Sequence, residues 1–363
     1  MMEKNKRTLG GKILRAILMI LLVLALLVVA VLGAAYAYYR SKIGMLQPDE
    51  TRSSEELILD SSQEQELNDQ GQDLNNAMHD LLAGLETLDP VIPDKEAVEV
   101  VEDDHVITIL LIGTDDGGSG FSTNARGDAC LLFSVNTAGD HPVISLVSFE
   151  RGMGVPILEG QYEGQWDWLT HTFRYGGAEL MLKEIRHCFS VDVDYYVRVN
   201  FNSFIAGIDA IGGVDVYLDS AEANYFINSA KYDVTVGMNH LNGRQALSYA
   251  RLRVIDSDWQ RIQRQREVIE SAINQLRQMD LADADALIND LLGLVRTNMD
   301  EKIITELLLL LPSLPQATFQ QMTIPQEGTY GGMTGMGGRG LFAADFEVNT
   351  KILHEFLYGP ESE

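Results

Sequence analysis

The chain has 363 residues, enough for one large core or two smaller ones, and a formal net charge of -26. Nucleic-acid phosphates are gripped by clustered Lys and Arg, so this acidity argues against a nucleic-acid partner. The two cysteines, Cys130 and Cys188, lack zinc-type spacing, and the seven histidines show no ligand spacing.

The N-terminal stretch MMEKNKRTLGGKILR is basic, and residues 16–39 carry no charge. At a rise of about 1.5 Å per residue such a helix spans roughly 36 Å, enough to cross a bilayer core of about 30 Å with some tilt. Tyr36, Tyr38 and Tyr39 sit where an interfacial aromatic belt belongs, and the basic flank stays cytoplasmic. Ala35-Tyr36-Ala37 has the small-x-small look of a signal cleavage site, but the apolar run is longer than a usual signal core. The expectation is a cytoplasmic tail at 1–15, an uncleaved transmembrane helix at 16–39 and the rest of the chain outside the cell.

Residues 40–104 hold 18 acidic and 4 basic side chains, a net of -14, with many Ser, Gln and Asn and few aromatics. This composition predicts a solvated stalk. Leu57, Leu74, Met78, Leu81, Leu82 and Leu85 add a weak helical periodicity to it.

From residue 105 the pattern changes. Short apolar runs predict strands at 106–112, 129–135, 143–148, 195–199, 214–218 and 317–324. Amphipathic runs predict helices at 178–189, 201–211, 243–251, 259–279, 283–295, 302–311 and 349–357. Interleaved elements of this kind define a layered α/β domain, taken as one unit over 105–358. The glycine-rich 328–340 reads as a surface loop. Cys130 falls on a strand and Cys188 on a helix, which favours two buried free thiols over a disulfide.

Three stretches carry chemistry. The first, ITILLIGTDDGGSGFSTNARGDACLLFS, delivers Asp115, Asp116, Arg126 and Asp128 at the ends of neighbouring apolar strands. Hard cations such as Mg²⁺ favour carboxylate oxygens and keep room for substrate phosphates. Turn-forming aspartates before a Gly-Gly pair explain Asp115 and Asp116 equally well at this level. The second is Arg151 in SFERGMG, where a lone Arg after a strand is usually a surface charge. The third, LNGRQALSYARLRVIDSDWQRIQRQ, concentrates Arg244, Arg251, Arg253, Arg261 and Arg264 in an acidic protein. Arg251 and Arg253 share a face if the chain is extended there. Asp258, Arg261 and Gln265 share a helical face, although Asp258 is equally a helix-start residue. A solvated face with ion pairs accounts for Arg261 and Arg264, but not for Arg251 and Arg253, whose forked guanidinium groups suit phosphate oxygens. There is no G-x-S-x-G elbow, H-E-x-x-H or kinase motif set.

The stretches ILLIGTDD, ARGDACLLFSVN, VSFERG, LTHTFRYGGAELM, VDYYVRVNFNSF, IDAIGGVDV, LNGRQALSYARLR and SDWQRIQRQ together resemble the LytR-CpsA-Psr family of bacterial cell-envelope proteins. The resemblance covers about 105 to 280 well and the remainder more loosely. It implies a central mixed β-sheet flanked by helices behind a single membrane helix. It also implies a phosphotransferase that moves a teichoic acid or capsule-like glycopolymer from a polyprenyl-pyrophosphate carrier to peptidoglycan. By correspondence, Asp115 and Asp128 would hold Mg²⁺ (or Mn²⁺), and Arg126, Arg151, Arg251, Arg253, Arg261 and Gln265 would bind the pyrophosphate. Asp258 corresponds to an acid beside the site that serves as a base, and Arg126 counts with it as catalytic. An apolar tunnel between sheet and helices is expected for the prenyl chain. The chain departs from the family pattern at Glu150-Arg151-Gly152, where Pro-Arg-Asp is common, and at Gly127, where Ser is usual. The rival readings are a non-catalytic binder of lipid pyrophosphates and a lipid pyrophosphate hydrolase.

Overall fold

The structure, a computed structural model, describes residues 100–359 except 117–120, 123–124, 194, 253–254, 256–257, 280–290 and 292, together with 78, 82–83, 85–88 and 90. The transmembrane helix expected at 16–39, most of the stalk and most of the helix expected at 283–295 lie outside these residues. Among the described residues no helix is long and apolar enough to cross a membrane.

The chain opens with β1 (Val106–Thr114), β2 (Gly127–Asn136) and β3 (Val143–Phe149). The short hairpin β4 (Gly154–Pro156) and β5 (Trp166–Trp168) leads into α1 (Leu169–Phe189), followed by β6 (Tyr195–Val199) and α2 (Phe201–Ala210). A second hairpin, β7 (Val214–Leu218) and β8 (Gly237–Leu241), brackets α3 (Ser220–Tyr225) and precedes α4 (Gly243–Ala250) and α5 (Asp258–Leu276). β9 (Arg296–Thr297), α6 (Glu301–Leu310), β10 (Thr318–Ile324), β11 (Tyr330–Thr334), β12 (Gly340–Ala344) and α7 (Phe346–Tyr358) complete it.

Six strands form one mixed sheet in the order β10-β3-β2-β1-β6-β9, with parallel pairs at β10–β3 and β1–β6 and antiparallel pairs elsewhere. The expected α/β architecture, a central mixed sheet flanked by helices, is present. Central strands covered on both faces read as continuous apolar runs, and ITILLI is one. Leu110, Ile112, Leu132 and Val147 pack on α1 and α7 through Phe173, Met181, Ile185, Phe189, Leu353 and Leu357. A second core lies among α2, α4, α5 and the β7–β8 hairpin, built from Ile208, Val214, Val216, Leu241, Tyr249 and Val268. Asn200 caps α2 through the Ser203 N–H, and Asn242 with Gln245 forms a capping box on α4.

Four expectations need correction. The helix predicted from 178 starts at Leu169, because Gly176 and Gly177 break it internally; Gly177 sits at φ 67°, a region that favours glycine. The sequence shows only the part after that break. The stretch 328–340 is no simple loop, since β11 and β12 pair there. Its glycines admit a neighbour: a Cβ on Gly331 would lie 2.6 Å from the Glu86 carbonyl oxygen, and Gly332 exchanges backbone hydrogen bonds with Glu86 and Leu88. The far end of the acidic stalk is accordingly part of the fold, and Met78 is buried at 1% exposure among Trp168, Leu341 and Phe342. Met78 also explains Gly152: a Cβ there would meet its sulfur at 2.7 Å. The helix predicted over 243–251 stops at Ala250, and Arg251 closes it.

Cys130 and Cys188 are buried free thiols, as expected. Glu184 on α1 is wholly buried, and burial holds its carboxyl well above the usual 4.5. A folded-state value above the unfolded one means that stability falls as pH rises above about 4.5. Glu184→Gln should therefore raise the melting midpoint at pH 8, by roughly 2–4 °C per kcal/mol recovered. The gain should shrink toward pH 4.5 in calorimetric melts, and a gain that is equal at both pH values would contradict this assignment.

Candidate functional site

β1 ends at Thr114 and hands Asp115 and Asp116 to the loop that returns through Arg126 into β2. The loop mouth is closed reciprocally: the Asp115 N–H donates to the Arg126 carbonyl at 3.2 Å, and the Arg126 N–H donates to Asp115 Oδ1 at 2.8 Å. The register between β1 and β2 shifts here, pairing Gly113 with Ala129 and Thr114 with Gly127, so Asp128 is skipped. A bulge of this kind re-aims a side chain out of the ladder. Gly127 beside it is closely packed, since a Cβ would lie 3.3 Å from the Phe173 Cβ and 3.4 Å from Ile112 and Met181.

The side chains alternate in charge. Arg126 grips Asp115 Oδ2 through Nε at 2.9 Å and Nη2 at 2.8 Å, and the same Nη2 lies 3.7 Å from Asp128 Oδ2. Arg151 Nη2 meets Asp128 Oδ1 at 2.9 Å. Arg151 is buried, which corrects the surface-charge reading. Its neighbour Glu150 is buried too and folds back to accept the Gly152 N–H. Asp116 turns away to Arg198, at 3.3 Å.

On the opposite side of the sheet from α1, a cavity of about 330 Å³ opens between the sheet and α2, α4 and α5. Its sheet wall is the cross-strand set Leu111–Leu131 and Gly113–Ala129, with Val199 beside Gly113. The Gly113–Ala129 pair makes room, because a Cβ on Gly113 would sit 3.0 Å from that of Ala129. Phe201, Phe204, Leu247 and Ile269 supply the helical wall. Asp128, Arg251, Arg261 and Gln265 line the same cavity.

The site residues therefore converge in two ways. Asp128, Arg251, Arg261 and Gln265 meet at the cavity directly. Asp115, Arg126 and Arg151 do not line it, but are chained to it through Asp128. Arg251 has helical backbone (φ -102°, ψ -2°), in keeping with the helix predicted through 251 and not with the extended form in which it would share a face with Arg253, and its guanidinium stacks 4.1 Å from the centre of the Phe201 ring. Arg253 lies outside the described residues. Asp258 is the first residue of α5, and its side chain is likewise not described.

The solvated-face reading of Arg261 and Arg264 is overturned, for both are buried. Arg264 Nε meets Glu222 Oε1 at 2.6 Å, and Nη1 donates to the Leu252 carbonyl at 2.8 Å, bracing the turn after Arg251. Helical spacing could not reveal this, because Glu222 lies on α3, 42 residues away. Arg198 was also overlooked. Its signal was available: a lone cation inside the otherwise apolar run YYVRV.

Among the described residues no group of three or more His, Cys, Asp or Glu gathers as a self-sufficient metal site. Asp115 and Asp128 both lie within 3.7 Å of one Arg126 nitrogen; they are the residues that could serve a hard cation, which would have to draw its other ligands from substrate phosphates and water.

Fold and site together describe an α/β protein with a largely apolar cavity lined also by one acid, Asp128, and two arginines, Arg251 and Arg261. The chain belongs to the LytR_cpsA_psr family, whose profile matches residues 72–351. It is 31% identical over 192 residues to the polyisoprenyl-teichoic acid–peptidoglycan teichoic acid transferase TagU of Enterococcus faecalis, covering 52% of this chain and 60% of that protein. The chain thus spans less than two thirds of that relative. In fold it resembles protein gbs0355 from Streptococcus agalactiae (TM-score 0.59, 22% identity, 71% of this chain and 90% of the other). It also resembles TagT bound to LIIa-WTA (TM-score 0.55, 24% identity, 74% and 97%).

Proposed function

We propose that this protein is a membrane-anchored phosphotransferase that moves a glycopolymer from a polyprenyl-pyrophosphate carrier to peptidoglycan. One observation carries the reading: Asp128, Arg251, Arg261 and Gln265 line the same cavity, whose remaining wall is mostly apolar. A ligand matched to both parts has a hydrocarbon chain and a phosphate head. The names of the TagU relative and of the TagT complex support a teichoic-acid type of polymer.

In the proposed reaction an acceptor sugar hydroxyl attacks the phosphorus that bears the glycopolymer. The bond to the bridging oxygen breaks, polyprenyl phosphate leaves, and a phosphodiester joins polymer to peptidoglycan. Arg251, Arg253 and Arg261 neutralise the pyrophosphate oxygens, Gln265 donates a hydrogen bond to them, and Arg126 and Arg151 hold the two aspartates in place. Asp258, which opens the helix carrying Arg261 and Gln265, takes the hydroxyl proton. Asp115 and Asp128 would hold Mg²⁺ or Mn²⁺, which supplies charge to the developing phosphate oxygens. The uncharged run 16–39 anchors the chain with this domain on the outer face.

The test is product analysis with a synthetic polyprenyl-pyrophosphate glycan, with and without a peptidoglycan fragment. Polymer attached to the fragment is the expected product; release of free polymer or phosphate in both arms would instead make this a hydrolase. The cavity has its own test. Leu247→Trp should weaken polyprenyl-pyrophosphate binding at least about tenfold, roughly the 1.4 kcal/mol at stake when a chain of methylenes loses its apolar wall. Inorganic pyrophosphate should bind as in the unmodified chain. Equal weakening of both ligands, measured by titration calorimetry, would refute a prenyl site here.

A further inference from the structure

We propose that Arg198 and Asp116 are a positioning pair that sets the direction in which Asp115 presents its carboxylate; this rests on the reading of Asp115 and Asp128 as the cation half of the site. Asp116 is the aspartate that the proposed function leaves without a role. It does not line the cavity, and its side chain is 7% exposed against 4% for Arg198.

Arg198 stands on β6 opposite Ile112 of β1 and Arg296 of β9. Its guanidinium reaches three points of the acidic loop: Thr114 Oγ1 at 3.3 Å, Asp116 Oδ2 at 3.3 Å and the Ser122 carbonyl at 2.5 Å. Asp116 Oδ2 also accepts the Ser122 N–H at 2.7 Å. The two ends of the loop, 116 and 122, are thereby clasped to one another and to β6. Phe121 packs against two guanidinium groups, with Arg198 5.0 Å and Arg296 4.4 Å from its ring centre, and the Phe173 ring centre lies 4.9 Å from the same Arg198 guanidinium.

A buried ion pair adds little net stability against an apolar equivalent, so its strength alone does not account for three loop contacts. What a charge-assisted, multiply anchored guanidinium does well is fix geometry. Asp115 lies between Thr114 and Asp116, and both neighbours are bound by Arg198. Its backbone is therefore pinned on each side, which leaves its carboxylate aimed at Arg126 and the Asp128 side of the site. Catalytic groups lose about a hundredfold in rate for a misplacement near 1 Å.

The experiment uses the full chain in detergent, Mn²⁺ with inorganic pyrophosphate as probe, and three readouts: Mn²⁺ affinity by electron paramagnetic resonance, transfer kinetics and melting midpoint. Arg198→Met should weaken Mn²⁺ about tenfold and lower kcat about a hundredfold, with KM for the lipid unchanged within threefold. Arg198→Lys should restore most of both, and Asp116→Asn should fall between them. These two size-conserving variants carry the test if Arg198→Met does not fold. Asp115→Asn, which leaves the pair intact, tests the cation reading by itself: Mn²⁺ bound as before would reject that reading. Loss of Mn²⁺ in Asp115→Asn with wild-type Mn²⁺ affinity and kcat in Arg198→Met and Asp116→Asn rejects the positioning role. So does a kcat loss that follows the melting midpoint and is not rescued by Arg198→Lys.

Discussion

Asp128→Asn should lower the transfer rate by about 10²–10³-fold and leave the fold in place, the range expected when one preorganised electrostatic group is removed from an active site. Asp128 is the acid that the bulge turns into the cavity, and it lies between Arg126 and Arg151. Asparagine keeps its shape and removes its charge. The side chain is 28% exposed, so the amide is not trapped in an apolar core, and the melting midpoint should move by only a few degrees. Steady-state transfer and calorimetry on the same sample check both halves. A rate within twofold of wild type would sink the assignment. A drop of more than about 10 °C would show that Asp128 serves the scaffold through Arg151.

The largest stability effect is expected at Arg339→Met. Arg339 holds Asp167 with both arms, at 2.8 and 2.6 Å, and the pair is 6% and 0% exposed. Asp167 further accepts the Trp168 N–H at 2.8 Å and the Tyr175 hydroxyl at 2.5 Å, with His171 Nδ1 at 3.2 Å. Burial alone would raise this carboxyl; His171 and the Arg339 guanidinium bring it down to about 2. Removing Arg339 leaves a buried carboxylate without its main counter-charge, which costs about 3–5 kcal/mol and so roughly 10 °C of melting midpoint.

The sign of the pH effect follows. In the native chain Asp167 contributes stability above 3.8 that is lost as pH falls toward about 2. Burial also lowers His171, so stability weakens as pH drops through 6.5, where the unfolded chain takes up a proton first. In Arg339→Met, burial raises Asp167 and lets it protonate. The gap to wild type should thus be widest near pH 7 and narrow toward pH 4. Melts at the two pH values decide it, and a constant gap would speak against an ionised Asp167 as the cause. The residues that follow Asp167 also touch the segment carrying Arg151: Thr170 Oγ1 donates to the Arg151 carbonyl at 3.4 Å, and the Leu169 N–H donates to the Met153 carbonyl.

Much of the scaffold was legible. The strands at 195–199 and 214–218 match in full, because a short apolar or alternating run bounded by polar residues has few other solutions. The hairpins β4–β5 and β11–β12 were not, because glycine and tryptophan there serve close backbone approach and long-range packing rather than a local period. In the site, the residue types were legible and their pairing was not. Nothing within a few residues of Arg264 points to Glu222, and nothing near Gly152 points to Met78.

The amino-acid order alone determined the charge balance, the apolar runs that become the sheet and the presence of acids and arginines suited to a cation and a phosphate. Tertiary structure decided which of those charges face the cavity and which are consumed in holding it. Asp128 faces it because a bulge skips one residue, Asp116 does not because Arg198 takes it, and Arg264 braces the turn beside Arg251. The physical reason is that whether a charge is neutralised depends on partners brought close by folding, across 42 residues of chain for Arg264 and Glu222 and 82 for Arg198 and Asp116. Local periodicity carries no record of them.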